Sequence, residues 1–344
     1  MQIITIVIKR VREIKYEPCC ALPPPWRPRS LGNRRAPDRP LKDGELRVRV
    51  EAIGLNRAEQ MYRAGVYLQT PVLPSLNGCE ASAVVVELGP GVSGFSIGEP
   101  VSVIPNFSLN DYGVYAEVAV VPSYAVVKRP KGLSAVQSAA VWMAYVTAYG
   151  ALIDIAKIGK GDSVVITAAS SSVGIAAIQI VNSVGATSIA TTRTSAKVSA
   201  LKAAGAMHVV ATEEQDIVEQ INAITGGKGA RIVFDPVGGP GIDKLAQTMS
   251  PGGTLFLYGA LSLAPSIFPV ASGFMKGLSL RGYTLFEILA DNARREAAIA
   301  FITRGLEAGT LKPVIAKTFP FDQIVEAHRY LESNAQFGKI VVTV

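Results

Sequence analysis

The sequence predicts an α/β protein in which a doubly wound parallel sheet is inserted into a smaller, mostly β domain. Three observations predict it. Ser163–Thr167 is a β-branched run without clean alternation, the mark of a strand buried on both faces, and it passes through small residues straight into a helical pattern from Val173. From there strand and helix patterns alternate as far as Gly282. Short strands joined by Gly and Pro turns precede this block, and strand, helix, strand follows it, so the chain leaves the first domain and returns.

In chain order, Ile3–Ile8 reads as an edge strand. Beyond Tyr16, Pro23-Pro24-Pro25 and the nearby Arg and Pro residues build neither a ladder nor a helix. Glu45–Ala52 alternates as a half-buried strand does. Asn56–Ala64 reads as a short helix ended by Gly65. Strands follow at Cys79–Leu88, from Glu99 to Val103, and at Tyr115–Val121. Ser134–Asp154 changes to a helical period, is nearly uncharged and bridges into the second domain. The strands there are Ser163–Thr167, Thr187–Thr191, His208–Val210, Arg231–Asp235, Thr254–Tyr258 and Leu278–Gly282. Helices begin near Val173, Ala196, Glu214 and Ile242, and a long one covers Ala290–Glu307. Val314–Phe319, Phe321–Glu332 and Lys339–Val344 return as strand, helix, strand. The domains are therefore expected at 1–133, 134–309 and 310–344.

A chain of 344 residues that is 49% hydrophobic and 18% charged can build two real cores and is not a disordered composition. Its uncharged stretches are interrupted by Ser, Thr, Gln or Asn, so no membrane span is expected. The net charge of +7 is local. Residues 1–42 hold ten Lys or Arg against three Asp or Glu, and the other 302 hold 24 of each sign. That segment also carries seven of the 21 prolines. It reads as a solvated, irregular leader, and nucleic acid is not the expected partner. Three cysteines, two of them adjacent, form neither a disulfide framework nor a metal motif. A cytoplasmic location is expected.

The join between Thr167 and Val173 is where chemistry is expected. Open amides and the dipole at a helix N-terminus favour a dinucleotide pyrophosphate. Ala169, Ser171 and Gly174 stand at glycine-fingerprint spacing, with the first two glycines replaced. A plain strand-turn-helix also fits those residues. The second strand ends Thr191-Thr192-Arg193-Thr194-Ser195-Ala196-Lys197, without the acid that would hold a ribose 2′-hydroxyl. Thr192, Arg193, Ser195 and Lys197 suit a 2′-phosphate, so NADP(H) is favoured over NAD(H); two solvated cations are the alternative. Asp235-Pro236-Val237-Gly238-Gly239 and Tyr258-Gly259-Ala260 close the fourth and fifth strands at the ligand-binding end. His208 and His328 have no visible nucleophile and acid partner, and no cluster suggests a metal.

Several motifs carry a resemblance: Val50-Glu51-Ala52-Ile53-Gly54-Leu55-Asn56, Gly78-Cys79-Glu80, Gly89-Pro90-Gly91-Val92, Gly113-Val114-Tyr115-Ala116-Glu117, Thr147-Ala148-Tyr149, Ala168 to Gly174, and Gly338-Lys339-Ile340-Val341. From about residue 43 onward the chain resembles the medium-chain dehydrogenase/reductase superfamily and, within it, the zinc-independent quinone oxidoreductase (zeta-crystallin-like) branch. The resemblance implies a GroES-like catalytic domain split around a Rossmann domain. It implies metal-free, NADPH-dependent hydride transfer to a quinone or enone, and a homo-oligomer, with the edge near Leu278–Gly282 suited to pairing. Zinc members place Cys at position 56 and His at position 79 and carry a four-cysteine lobe; here stand Asn56 and Cys79, and the lobe is absent. By position, Asn56, Tyr67 and Thr147 would lie near the nicotinamide and substrate. Tyr67 or Asn56 would donate to the oxygen that gains charge. The backbone of Ser172 and Val173 would meet the pyrophosphate, with Tyr258, Gly259 and Lys339 beside the cofactor. Met61 falls where some quinone reductases have Tyr. Phe107, Tyr112, Trp142 and Tyr145 would either line the cleft or pack the core. Pro18–Pro40 departs from the family. An alcohol or enoyl-thioester reductase, and a non-catalytic NADPH-binding or RNA-binding protein, are the alternatives.

Overall fold

The computed structural model describes residues 39–344 apart from 73 and 263; the expected strand Ile3–Ile8 and the proline-rich run to residue 38 lie outside them. Two compact units emerge. One extends to Met143 and takes in Val314–Val344; the other is Ala144–Pro313. The second crossing falls after Pro313, and the first falls later than 133 because the start of the helical bridge packs on the first sheet. Ala139 and Ala140 pack there against Ala52 and Val341.

The strands are β1 (Glu45–Gly54), β2 (Ala81–Leu88), β3 (Pro100–Val103), β4 (Val118–Pro122), β5 (Val126–Lys128), β6 (Ser163–Ile166), β7 (Thr187–Thr192), β8 (His208–Ala211), β9 (Ala230–Asp235), β10 (Met249–Leu257), β11 (Ser279–Gly282), β12 (Ile315–Pro320) and β13 (Lys339–Thr343). In the first unit the order is β12-β13-β1-β2-β3-β5, with β4 also on β1. The return is explicit in the register: β13 lies antiparallel to β1, with Ala52 opposite Thr343 and Gly54 opposite Val341. The alternation seen in Glu45–Ala52 buries Leu46, Val48 and Val50 with Val85, Val101 and Val121.

In the second unit all six strands are parallel, in the order β11-β10-β9-β6-β7-β8. Chain order reverses between β6 and β9. That is the topological switch at which open α/β sheets bind ligands, beyond the carboxyl ends of the strands. Both faces of this sheet are covered, and Val165, Ile189, Val233 and Leu255 form its core, hence the unalternating sequence.

Three local readings change. Tyr115 precedes β4 rather than opening it, because the Val114 and Tyr115 amides bond to the Gly78 and Asn77 carbonyls. The helix expected near Glu214 starts at Ile217, where the Asp216 carboxylate accepts from the amides of Val218 and Glu219. The bridge 134–154 is broken into helices Ala135–Ser138 and Trp142–Tyr149 and a wider π turn Gly150–Ile155. Length and composition alone would let 135–155 cross a membrane, but 83% of its apolar window is buried inside the protein, which makes it a core element. Trp142 and Tyr145 accordingly sit in the core. Phe107 and Tyr112 are half-buried, in edge-to-face contact at 5.9 Å.

Candidate cofactor cradle and buried polar cluster

In the second unit, β6 and β9 end side by side. Thr167 donates its hydroxyl to Asp235, and the Gly238 amide donates to the other Asp235 oxygen at 2.7 Å. Burial pushes the Asp235 carboxyl up, opposed by those bonds. This pair clamps the two strand ends at the switch. The chain then turns through Ala168, a non-glycine residue held in the left-handed region at φ 45°, the kind of local strain that collects at functional turns.

The helix Ser172–Ser183 starts from an N-cap at Ser171, whose hydroxyl accepts from Gly174 N at 3.0 Å. The amides of Ser172 and Val173 begin the helix with no carbonyl one turn back, so they are the donors open to an anion. Gly174 must be glycine here: a Cβ would stand 2.6 Å from the Cα and carbonyl oxygen of Ala169. The third glycine of the fingerprint is thus kept for close packing, while Ala169 and Ser171 need no such contact. Tyr258 follows β10 and stacks on Phe234 with ring centroids 4.0 Å apart. Its buried hydroxyl lies near Ser171 without a well-formed hydrogen bond. Open amides, a buried phenol and a turn of small residues fit a dinucleotide pyrophosphate. Gly259 lies against Pro236, where the end of β9 leaves no room for a side chain.

Beyond β7, Thr192, Arg193, Ser195 and Lys197 stand on one exposed to half-buried segment. Lys197 Nζ reaches the Ser170 hydroxyl at 3.2 Å, tying this segment to the pyrophosphate turn. Burial and the neighbouring Arg193 charge lower the Lys197 pKa. Two cations held near each other suit a doubly charged anion. Thr147, in the part of the helix Trp142–Tyr149 that belongs to this unit, is buried.

The first unit holds a second constellation. Asn56 caps the helix Arg57–Arg63 in a capping box, in which Glu59 reaches back to accept from the Asn56 amide. Asn56 Oδ1 also accepts from Lys339 Nζ at 2.6 Å. The same ammonium lies 2.6 Å from Glu80 Oε2, and Glu80 Oε1 accepts from the Met143 amide at 3.1 Å. Glu59 Oε1 accepts from the Cys79 thiol at 3.1 Å and its amide at 3.2 Å; Glu59 Oε2 accepts from the Tyr115 hydroxyl at 3.3 Å. Tyr115 meets His328 Nε2 at 3.0 Å.

All of these side chains are buried, and burial sets the charges. It raises the Glu59 carboxyl and pushes the Cys79 thiol well up, with Glu59 adding to the latter. It drives His328 well down, helped by Arg63 and Arg57, so this imidazole is neutral. Tyr67 stands half-buried at the edge. Burial, then the charges of Cys79 and Glu59, raise its phenol, which stays protonated. Tyr67 has no hydrogen-bond partner among the described residues.

The predicted residues thus fall into two groups. Asn56 and Lys339 are brought into direct contact, with Tyr67 in the same unit. Ala169, Ser171, Ser172, Val173, Gly174, Thr192, Arg193, Ser195, Lys197, Tyr258 and Gly259 share the ends of one sheet. Sequence reasoning assigned no role to Glu59, Tyr115 or Thr167, marked Asp235 only as part of a strand-end turn, and showed no partner for His328. Only Glu59 left a local signal, the Asn-x-x-Glu spacing of a capping box.

Residues 42–131 match the alcohol dehydrogenase GroES-like domain family, and residues 172–304 match the zinc-binding dehydrogenase family. The quinone oxidoreductase of Homo sapiens is 31% identical over 302 residues, covering 88% of this chain and 89% of that protein. The chain belongs to the zinc-independent quinone oxidoreductase branch of the medium-chain dehydrogenase/reductase superfamily. A 2-haloacrylate reductase from Burkholderia sp is also 31% identical, over 305 residues, covering 87% of this chain and 90% of that one. The crystal structure of Escherichia coli quinone oxidoreductase complexed with NADPH superposes with a TM-score of 0.83 at 27% identity, covering 91% and 95% of the two chains. The zinc-binding label describes the wider family. In this chain the two ligand positions hold an amide and a thiol, an ammonium is bonded to that amide, and no group of three or more His, Cys, Asp or Glu among the described residues could hold a metal ion.

Proposed function

We propose that this protein is an NADPH-dependent reductase that delivers hydride to a quinone or an activated alkene without a metal. The observation that carries this reading is the cradle at the switch of the second sheet, where the turn leading to the open Ser172 and Val173 amides is tied through Ser170 to Lys197, with the Arg193 charge close to that ammonium. The family relationship supports the acceptor class.

NADPH, when bound, supplies the hydride. The chain's own residues hold, orient and shield. Ser172 and Val173 amides take the pyrophosphate, and Arg193 and Lys197 the 2′-phosphate. In the first unit the amide hydrogens of Asn56 Nδ2 already face Gly54 O at 3.0 Å and Glu59 Oε1 at 3.2 Å. Asn56 therefore shapes the wall of the site and does not donate to substrate. Tyr67 is the donor left to meet an acceptor oxygen as it gains charge, and its raised pKa keeps the proton in place.

The test is NADPH oxidation followed with 9,10-phenanthrenequinone, a benzoquinone and an α,β-unsaturated ketone, with NADH in parallel. Turnover with NADPH well above NADH is expected. Cofactor binding without turnover of any acceptor would sink the reductase reading and leave the non-catalytic one. The same proposal includes a homo-oligomer, supported by β11 at the edge of its sheet and by exposed Phe274 and Met275 on the adjoining helix Val270–Lys276. Light scattering giving one chain mass would overturn it. It also includes a cytoplasmic setting, supported by the free thiol of Cys79 and checked by fractionation.

A further inference from the structure

The ends of β7 and β8 are laced together. The Thr212 amide and hydroxyl both donate to the Thr192 carbonyl, at 2.9 and 3.2 Å, and the Glu213 amide donates to the Arg193 carbonyl at 2.9 Å. This lacing carries an acid into a segment whose own sequence has none. Glu214 Oε1 accepts from the Ser195 amide at 2.8 Å. The carboxylate therefore takes one of the donors in the very segment that carries Arg193 and Lys197. Its bond goes to an amide, and Arg193 forms no ion pair with it among the described residues.

We propose that Glu214 is a specificity-determining residue that occupies the Ser195 amide and opposes the 2′-phosphate, so that it weakens NADPH selectively relative to NADH. This rests on the reading that Arg193 and Lys197 hold the 2′-phosphate. A phosphate seated between those cations meets the Glu214 charge at close range and must displace it from Ser195. A 2′-hydroxyl carries no charge to repel and can share the acid as a hydrogen-bond acceptor, which is the role an acid plays at this strand end in NAD-binding sites. The segment thus combines two cations that favour the phosphate with one acid that limits the preference.

The experiment compares dissociation constants of NADP+, NAD+, 2′,5′-ADP and 5′-AMP for the wild-type protein, Glu214→Gln and Arg193→Ala. Glu214→Gln keeps an acceptor for the Ser195 amide and removes only the charge. It is expected to tighten NADP+ and 2′,5′-ADP by about three- to ten-fold at low salt, the size of an exposed charge–charge interaction, with the gain shrinking as salt rises. NAD+ and 5′-AMP are expected to change little, because the glutamine carbonyl still offers the 2′-hydroxyl an acceptor. Arg193→Ala is expected to weaken the two phosphorylated ligands alone. An equal shift for all four ligands in Glu214→Gln, or none, overturns the proposal, provided Arg193→Ala still discriminates. If Arg193→Ala does not discriminate, the 2′-phosphate reading itself fails and takes the proposal with it. Glu214 is exposed, and unchanged thermal unfolding of the variant confirms that the comparison reads binding.

Discussion

Lys339 and Glu80 form an ion pair closed to water, Nζ to Oε2 at 2.6 Å, with side chains 1% and 0% exposed. A charge at such depth is tolerated only while its partner is present. Lys339→Met or Glu80→Gln alone is expected to cost about 3–5 kcal/mol, and the double variant clearly less than the sum. Urea unfolding of the four proteins checks this; additive losses would mean the two groups are energetically independent.

Glu59 should make stability fall as pH rises. Its carboxyl is raised in the fold by burial, against about 4.3 when unfolded. Above that unfolded value the native state holds the proton that the unfolded state has released. Stability from this group is therefore full below about pH 4.3 and is lost toward the raised folded value. The wild-type advantage over Glu59→Gln should shrink as pH climbs through that window in paired denaturant titrations.

Glu45 should do the opposite. Arg39 is the main cause of its carboxyl being held down, to about 2, with the Lys42 amide and the Tyr112 hydroxyl adding to the effect. Its contribution is present above the unfolded value of about 4.3 and disappears as pH falls toward about 2. Glu45→Gln should lose stability at neutral pH yet match the wild type near pH 2.

Gly174→Ala places a methyl against the Ala169 backbone, 2.6 Å away before relaxation. Because the obstruction is backbone, the helix start must shift. A loss of about 1–3 kcal/mol and weaker binding of both NADP+ and NAD+ are expected, since the pyrophosphate is common to them. Unchanged affinity for both would detach this turn from the cofactor.

Tyr67→Phe removes the phenol proposed to meet a developing oxyanion. The expected result is a kcat lower by about 10²-fold with little change in KM and in thermal unfolding. A change confined to KM would reduce Tyr67 to a wall of the site.

What could be read from the chain alone follows physical range. The parallel sheet was legible because Ser163–Thr167 and its successors are buried on both faces and cannot alternate, and the split domain because the strand pattern resumes after Leu311. Asn56 and Glu59 are three residues apart, so their local bond left a trace. Tyr115 and His328 meet across 213 residues, and nothing in either neighbourhood announces the other. Glu214 was missed for a related reason: the end of β7 reads as free of acid, and only the lacing of β8 onto it supplies one.

The return of β13 to β1 has a consequence for synthesis. A chain still emerging from the ribosome carries Asn56 and Glu80 long before Lys339 exists to meet them, and β1 lacks one neighbour until Val341–Thr343 arrive. The inserted unit Ala144–Pro313 has every strand of its sheet by then. The unit that contains β1 thus gains β13 only after the inserted unit has all its strands. A chain interrupted before Lys339 has every strand of the second sheet, but its first unit holds an uncompensated acid at Glu80.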